Sequence, residues 1–256
     1  MAEAVELNVR WDGPEGAPVL VLSHAIGLSI ALWDAQVESF SRDFRVLRYD
    51  HRGHGGSRVP PGPYRIEDLG GDLVALLDRL GLERVSLCGL SLGGMVGMWF
   101  AANAPDRVER LVLCCTAARM PQPEIYTERA ERVRREGLEP IADAVIARWF
   151  TPAFVQSHPD EVDAIRRLFV SANPEGYAST CEALAAMDLR PDLARINAPT
   201  LILAGGSDQA TPIEQSRLIA ERIDGSTLVV LENAAHLANV EQPKAFANAV
   251  LSGLRR

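Results

Sequence analysis

A disulfide or zinc framework is the first thing this chain lacks. Its 256 residues include four cysteines and no C-x-x-C pair, so neither a zinc site nor a disulfide scaffold is indicated. Cys88 and Cys114-Cys115 fall in apolar runs and Cys181 in a helical stretch, which suits reduced thiols packed as small hydrophobes. Long apolar runs are also missing, and none approaches the length of a membrane span. The opening Met1-Ala2-Glu3-Ala4-Val5-Glu6 is acidic and has no secretory apolar region. These absences predict a cytoplasmic protein. Positive charge is scarce: 26 Lys and Arg face 34 Asp and Glu, a net charge of −8. That balance argues against nucleic acid as a partner and against a polybasic membrane patch. No internal repeat or low-complexity tract occurs.

Apolar residues make up 47% of the chain, enough for one large core. Strand and helix signals alternate. Leu7–Arg10, Val19–Ser23, Phe44–Tyr49, Val85–Cys88 and Leu111–Cys115 read as strands. Ile66, Leu69, Leu73, Leu76, Leu77 and Leu80 mark one face of a helix ended by Gly81. The alternation predicts an α/β class with a mainly parallel central sheet and helices on both faces. From about Ala118 to Pro191 the strand signals stop. Four helical stretches replace them, over Glu124–Glu136, Leu138–Trp149, Glu161–Val170 and Glu175–Met187. Helices inserted between two core strands predict a cap over residues 118–191, with residues 1–117 and 192–256 forming the core. A cap closes a pocket against water and shapes substrate choice.

Gly89-Leu90-Ser91-Leu92-Gly93 carries the chemistry. It reads G-x-S-x-G, follows a strand signal and opens a helical pattern in which Val96, Trp99 and Ala102 recur. A serine between strand and helix occupies a tight turn that only small flanking residues allow. Its hydroxyl then projects above the sheet, and the next backbone N–H, that of Leu92, faces the space where an oxyanion would form. The bland alternative is a serine that merely caps the helix.

A nucleophilic serine needs a base, and the base an orienting acid. Thr200–Ala204 is a strand signal running into Gly205-Gly206-Ser207-Asp208, and Thr227–Leu231 another followed by Glu232–His236. Asp208 and His236 thus lie just beyond the carboxyl ends of strands, the edge where open parallel sheets bind ligands. The order Ser91, Asp208, His236 is that of the α/β-hydrolases. Near the start, Val19–Ser23 runs into His24-Ala25-Ile26-Gly27, so the N–H of Ile26 becomes the second oxyanion donor. His24 reads as a brace of that loop rather than a second base. In the cap, Arg129, Arg132, Arg134, Arg135, Arg148, Arg166 and Arg167 read mostly as partners of nearby glutamates, such as Glu128 with Arg132 and Glu131 with Arg135. One arginine turned inward would hold a substrate carboxylate, and Arg134 and Arg135 are the candidates. Trp33, Met120 and Trp149 are candidate pocket walls.

These motifs resemble the 3-oxoadipate enol-lactonases of the β-ketoadipate route of aromatic catabolism, within the α/β-hydrolase superfamily. The resemblance extends over Ser23–Gly27, Arg48–Gly55 and Gly89–Met95. It continues through Glu136-Gly137-Leu138, Arg148–Pro152, Asp188–Pro191 and Ala234–Pro243. It implies a serine hydrolase with Ser91 as nucleophile, His236 as base and Asp208 as its orienter. The implied substrate is a small lactone with one free carboxylate, opened through an acyl-enzyme without metal or organic cofactor. A broader carboxylesterase or perhydrolase, and more remotely a hydrolase-fold ligand receptor, are the other readings of the same frame. Oligomeric state is not legible.

Overall fold

The computed structural model describes residues 3–255. Seven strands form one sheet: β1 (Val9–Asp12), β2 (Val19–Ser23), β3 (Arg45–Tyr49), β4 (Val85–Leu90), β5 (Val108–Cys114), β6 (Thr200–Gly205) and β7 (Thr227–Leu231). Their spatial order is β1-β3-β2-β4-β5-β6-β7. β1 runs antiparallel to β3, and every other pairing is parallel. The central strand β4 is buried along its whole length, as a sheet covered on both faces requires.

Helices cover both faces. α1 (Asp34–Phe40) packs on the C-terminal helix α11 (Pro243–Arg255), which lies against β5 and β6. α2 (Ile66–Arg79) packs on α3 (Leu92–Asn103), which covers β2, β4 and β5. Register explains the division. Leu111 and Leu113 of β5 face Gly97 of α3, while Leu201 of β6, paired with Val112, faces Gly253 of α11. Each such leucine, removed from water, contributes about 2 kcal/mol. α2 ends where the apolar stripe ends: Gly81 turns left-handed at φ +66°, and Leu82 N–H bonds back to the Leu77 carbonyl at 2.9 Å. The first strand is shifted two residues from its predicted place: the ladder with β3 runs from Val9 opposite Tyr49 to Asp12 opposite Val46, and Asn8 just outside it accepts Asp50 N–H at 3.0 Å.

Between β5 and β6 the chain forms five helices: α4 (Pro123–Glu136), α5 (Glu139–Trp149), α6 (Pro152–Ser157), α7 (Pro159–Val170) and α8 (Pro174–Ala186). Sequence periodicity reveals four of them. α6 is too short for a period, yet it has the usual start signal: the Thr151 hydroxyl accepts from Phe154 N–H, and Pro152 follows. All five helices carry proline in their first turn, where a missing N–H costs nothing. α4 and α8 pack side by side, and α7 packs on α5 and α6. α9 (Ile213–Arg222) then covers β6 and β7, and α10 (Ala238–Glu241) precedes α11.

Strand order reverses at β2, whose neighbours are β3 and β4, so the loops leaving β2 and β4 open a crevice at that point. Ser23 and Gly89 are register partners there.

Candidate active site

Ser91 sits in that crevice between β4 and α3 with φ +56° and ψ −114°, a conformation rare outside glycine. The surroundings hold it there. Ser91 N–H bonds the Cys114 carbonyl at 2.9 Å, and the Ser91 carbonyl accepts from the Thr116 hydroxyl at 2.7 Å and from Gly94 N–H at 2.9 Å. The flanking glycines are obligatory. A Cβ on Gly89 would collide with the Gly93 carbonyl, and one on Gly93 with the Ser23 carbonyl. Leu92 is the first residue of α3, so its N–H has no partner within the helix.

Ile26 lies opposite. Leu28 N–H reaches the Ala25 carbonyl at 3.3 Å and closes a turn with Ile26 and Gly27 at its centre, Gly27 at φ +73°. That left-handed position is why glycine follows Ile26. A fully buried polar cluster supports the turn. His24 donates through Nδ1 to the Ala25 carbonyl at 2.8 Å and accepts His51 N–H through Nε2 at 3.2 Å. Asp50 accepts from Ile30 N–H, Gly56 N–H and the Asn8 amide at 2.7–2.9 Å. The Arg48–Gly55 motif is therefore scaffolding beneath the loop. Burial lowers the pKa of His24, holds that of His51 well below the ordinary range and pushes that of His54 down to about 3.

Asp208 and His236 meet across the ends of β6 and β7. His236 Nδ1 donates to Asp208 Oδ2 at 2.9 Å, and both side chains are almost wholly buried. Asp208 also accepts from Ala210 N–H at 2.8 Å, Thr211 N–H at 2.9 Å and the Thr211 hydroxyl at 2.8 Å. It thus closes the turn before α9 and orients the imidazole at once. Burial pushes this carboxyl up, but the His236 partner and the Thr211 donors outweigh it and lower its pKa. An imidazole tied at Nδ1 presents Nε2 on its other side, and His236 and Ser91 line the same cavity. Cys115, close by at the end of β5, is held protonated by burial and by Asp208.

Ser91, His236 and Ile26 line one cavity, with Met95 and Thr211 beneath and helices α4, α5 and α8 above. Met120 and Trp149 line it too. The other three candidate substrate-binding residues, Trp33, Arg134 and Arg135, do not. Trp33 is fully buried in the core, its ring 6.1 Å from that of Phe246. Arg134 is held between α4 and α8 by Glu175 and Glu182, at 2.8 and 2.6 Å. Arg135 is exposed beside Glu136. Arg132 pairs forward with Glu136 at 2.9 Å rather than back with Glu128.

The cations that do line the cavity are Arg129 and Arg148. Neither has a carboxylate partner among the described residues. Arg129 lies 5.1 Å over the Tyr126 ring and 3.4 Å from the Tyr177 hydroxyl, and Arg148 donates to the Gln209 carbonyl at 2.7 Å. Tyr126, Tyr177 and Leu184 complete the wall. Helical spacing does not single them out: Arg129 stands four before buried Val133 and Arg148 three after buried Val145, but Arg134 stands four after buried Ala130. Among the described residues no cluster of His, Cys, Asp and Glu could hold a metal ion, and no helix is long and apolar enough to cross a membrane.

Comparison with known proteins agrees with this geometry. Residues 18–243 match the alpha/beta hydrolase fold family. 3-Oxoadipate enol-lactonase 2 of Acinetobacter baylyi is 42% identical over 255 residues, covering 100% of this chain and 95% of its own. The enol-lactonase from Burkholderia xenovorans LB400 superposes with a TM-score of 0.96 at 44% identity, covering 98% of this chain and 97% of its own. A thermophilic esterase from Thermogutta terrifontis, solved with malate bound, superposes with a TM-score of 0.92 at 38% identity over 98% of this chain and 93% of its own. The chain belongs to the 3-oxoadipate enol-lactonases of the α/β-hydrolase fold.

Proposed function

We propose that the protein opens 3-oxoadipate enol-lactone through an acyl-enzyme on Ser91. The observation that carries this reading is a single cavity that joins Ser91 and the His236–Asp208 pair to two arginines that have no carboxylate partner among the described residues. His236 takes the Ser91 proton as the serine oxygen attacks the lactone carbonyl. The N–H groups of Ile26 and Leu92 receive the oxyanion, and losing one such donor costs about 3 kcal/mol of barrier. The ring carbon–oxygen bond breaks with an enolate leaving, and His236 returns the proton. The enol becomes a ketone, which opposes reclosure. Water, deprotonated by His236, then frees Ser91 and releases the dicarboxylate product.

The free carboxylate of the lactone meets Arg129 or Arg148. A charge-assisted hydrogen bond contributes about 1.5–3 kcal/mol. In a chain of net charge −8, an anion needs such a local field to enter. Residues 118–191 act in this reading as a cap on the core of 1–117 and 192–256. Supporting it, α4, α5 and α8 contribute cavity walls while β-strand loops contribute the reacting groups. Four buried free thiols suit a cytoplasmic site of action.

A broader carboxylesterase is the competing reading, favoured by the apolar walls Met95, Met120, Val145 and Leu184. One experiment separates them: kcat/KM for 3-oxoadipate enol-lactone against a small neutral aryl ester, with Ser91→Ala as the blank. Strong preference for the lactone supports the enol-lactonase reading. Preference for the neutral ester leaves the serine chemistry and overturns the substrate.

A further inference from the structure

Glu241 is a carboxylate that neither the reaction nor, among the described residues, an ion pair employs. It lies five residues past His236, at the end of α10. Its Oε1 accepts from Thr151 N–H at 2.7 Å and from the Thr151 hydroxyl at 2.8 Å. Its Oε2 accepts from Ala235 N–H. Thr151 belongs to the helical insertion, between α5 and α6, whereas Ala235 immediately precedes His236. On the other side of His236, Leu237 N–H donates to the Trp149 carbonyl at 3.0 Å, and Trp149 is itself a cavity wall. The N–H groups of Ala235 and Leu237, the residues on either side of His236, are therefore tied, directly or through Glu241, to residues 149–151.

We infer that Glu241 is a positioning residue: its carboxylate straps the insertion to the His236 loop and sets where the imidazole stands relative to Ser91. The inference rests on the reading of Ser91 and His236 as the reacting pair, and not on which ester is the substrate. The chemistry of the side chain makes the strap specific. A carboxylate only accepts, and all three groups facing it are donors. A glutamine has one acceptor oxygen and an NH2 group, so E241Q keeps one arm and sets donor against donor on the other. Small displacements of a catalytic group are expensive, and about 1 Å can cost roughly 100-fold in rate.

The test compares E241Q and T151V with the parent protein. The readouts are the rate constant for labelling of Ser91 by a fluorophosphonate, the kcat and KM for a neutral aryl ester, and the thermal melt. The expected result for folded E241Q is a fall of roughly 10- to 100-fold in the labelling constant and in kcat, with KM within about twofold. T151V removes one of the two donors on Oε1 and shows a smaller fall in the same direction. The loss in the double variant falls short of the product of the two single losses, because both substitutions act on one strap. A folded E241Q that labels at the parental rate overturns the inference. So does an E241Q in which fewer molecules react but those that do react at the parental rate, which is the mark of a fold strut. If E241Q does not fold, T151V decides: an unchanged labelling constant overturns, a reduced one supports. Failure of the enol-lactone reading shows separately, as a parent that labels and cleaves the aryl ester but leaves the lactone untouched.

Discussion

At the sheet edge, a core set of polar side chains is sealed in and held by fixed partners; in the helical insertion polar side chains lie in the open and pair with each other. His24, His51, Asp50 and Asp208 are almost wholly buried, and each is bound to backbone groups of the loops that carry the site. Arg134, Arg166 and Arg167 instead pair with exposed or half-exposed carboxylates across and along the insertion's helices. The difference assigns labour. A buried group with fixed partners holds position to within a fraction of an ångström, which bond-making needs. An exposed pair is worth at most about 1 kcal/mol and can change without disturbing its helix. Arg129 and Arg148 break the insertion's pattern, lining the cavity with no carboxylate partner among the described residues.

That contrast can be broken most severely at the sheet edge. Ser91→Ala is expected to lower kcat by about 10⁶-fold while leaving the thermal melt within a degree or two, because the serine serves the reaction and not the core. Asp208→Asn is expected to cost about 10⁴-fold, since an amide at that position no longer selects the Nδ1–H form of His236. Stopped-flow or progress-curve assays on the aryl ester read both.

The insertion's exception comes next in size. Arg129→Met or Arg148→Met is expected to reduce kcat/KM for the anionic lactone by roughly 10- to 100-fold and to spare the neutral ester. Raising ionic strength should weaken the parental preference for the lactone and leave these variants nearly unaffected. Equal losses on both substrates would assign the arginines to packing instead.

The buried histidines set a pH limit on stability. His24, His51 and His54 are neutral in the fold, with His54 held to about 3. The unfolded chain takes up these protons at the ordinary histidine value, near 6.5, and so binds more protons than the fold below that pH. Stability is therefore full above about pH 6.5 and falls as pH drops from there toward 3, by at most about 1.4 kcal/mol per pH unit for each histidine. Urea midpoints at pH 7.5, 6 and 5 measure the slope, and a flat profile refutes it. Smallest of all, Arg134→Gln is expected to change stability by no more than about 1 kcal/mol and kcat/KM by less than twofold. A larger loss for the lactone alone would return Arg134 to the substrate.

Much of the sheet edge is legible in the chain. Period and turn residues locate all seven strands to within three positions, and G-x-S-x-G with Asp208 and His236 at strand ends marks one candidate catalytic edge. These signals are local, because a strand ending in a glycine turn dictates its own backbone. Trp33 is misread for the opposite reason. A tryptophan near the oxyanion loop could face either way, and only the docking of α11, with Phe246 beneath it, turns it into the core. Arg134 and Arg135 follow Val133 in sequence but leave the helix on other sides, where Glu175 and Glu182 of α8 capture Arg134. Since α8 is some forty residues away in the chain, its glutamates could not be weighed against a substrate.

The sequence by itself determined the strands of the sheet, the order of Ser91, Asp208 and His236 along the chain, and the glycines without which Ser91 could not occupy its turn. All of these follow from short-range sterics and periodicity. The tertiary structure alone decided which two of seven arginines look at the cavity, and that Glu241 reaches back across ninety residues to Thr151. A helix fixes the angle between its side chains but not the direction in which its apolar stripe is buried. That direction is set when helices pack, and with it the charges left facing the substrate.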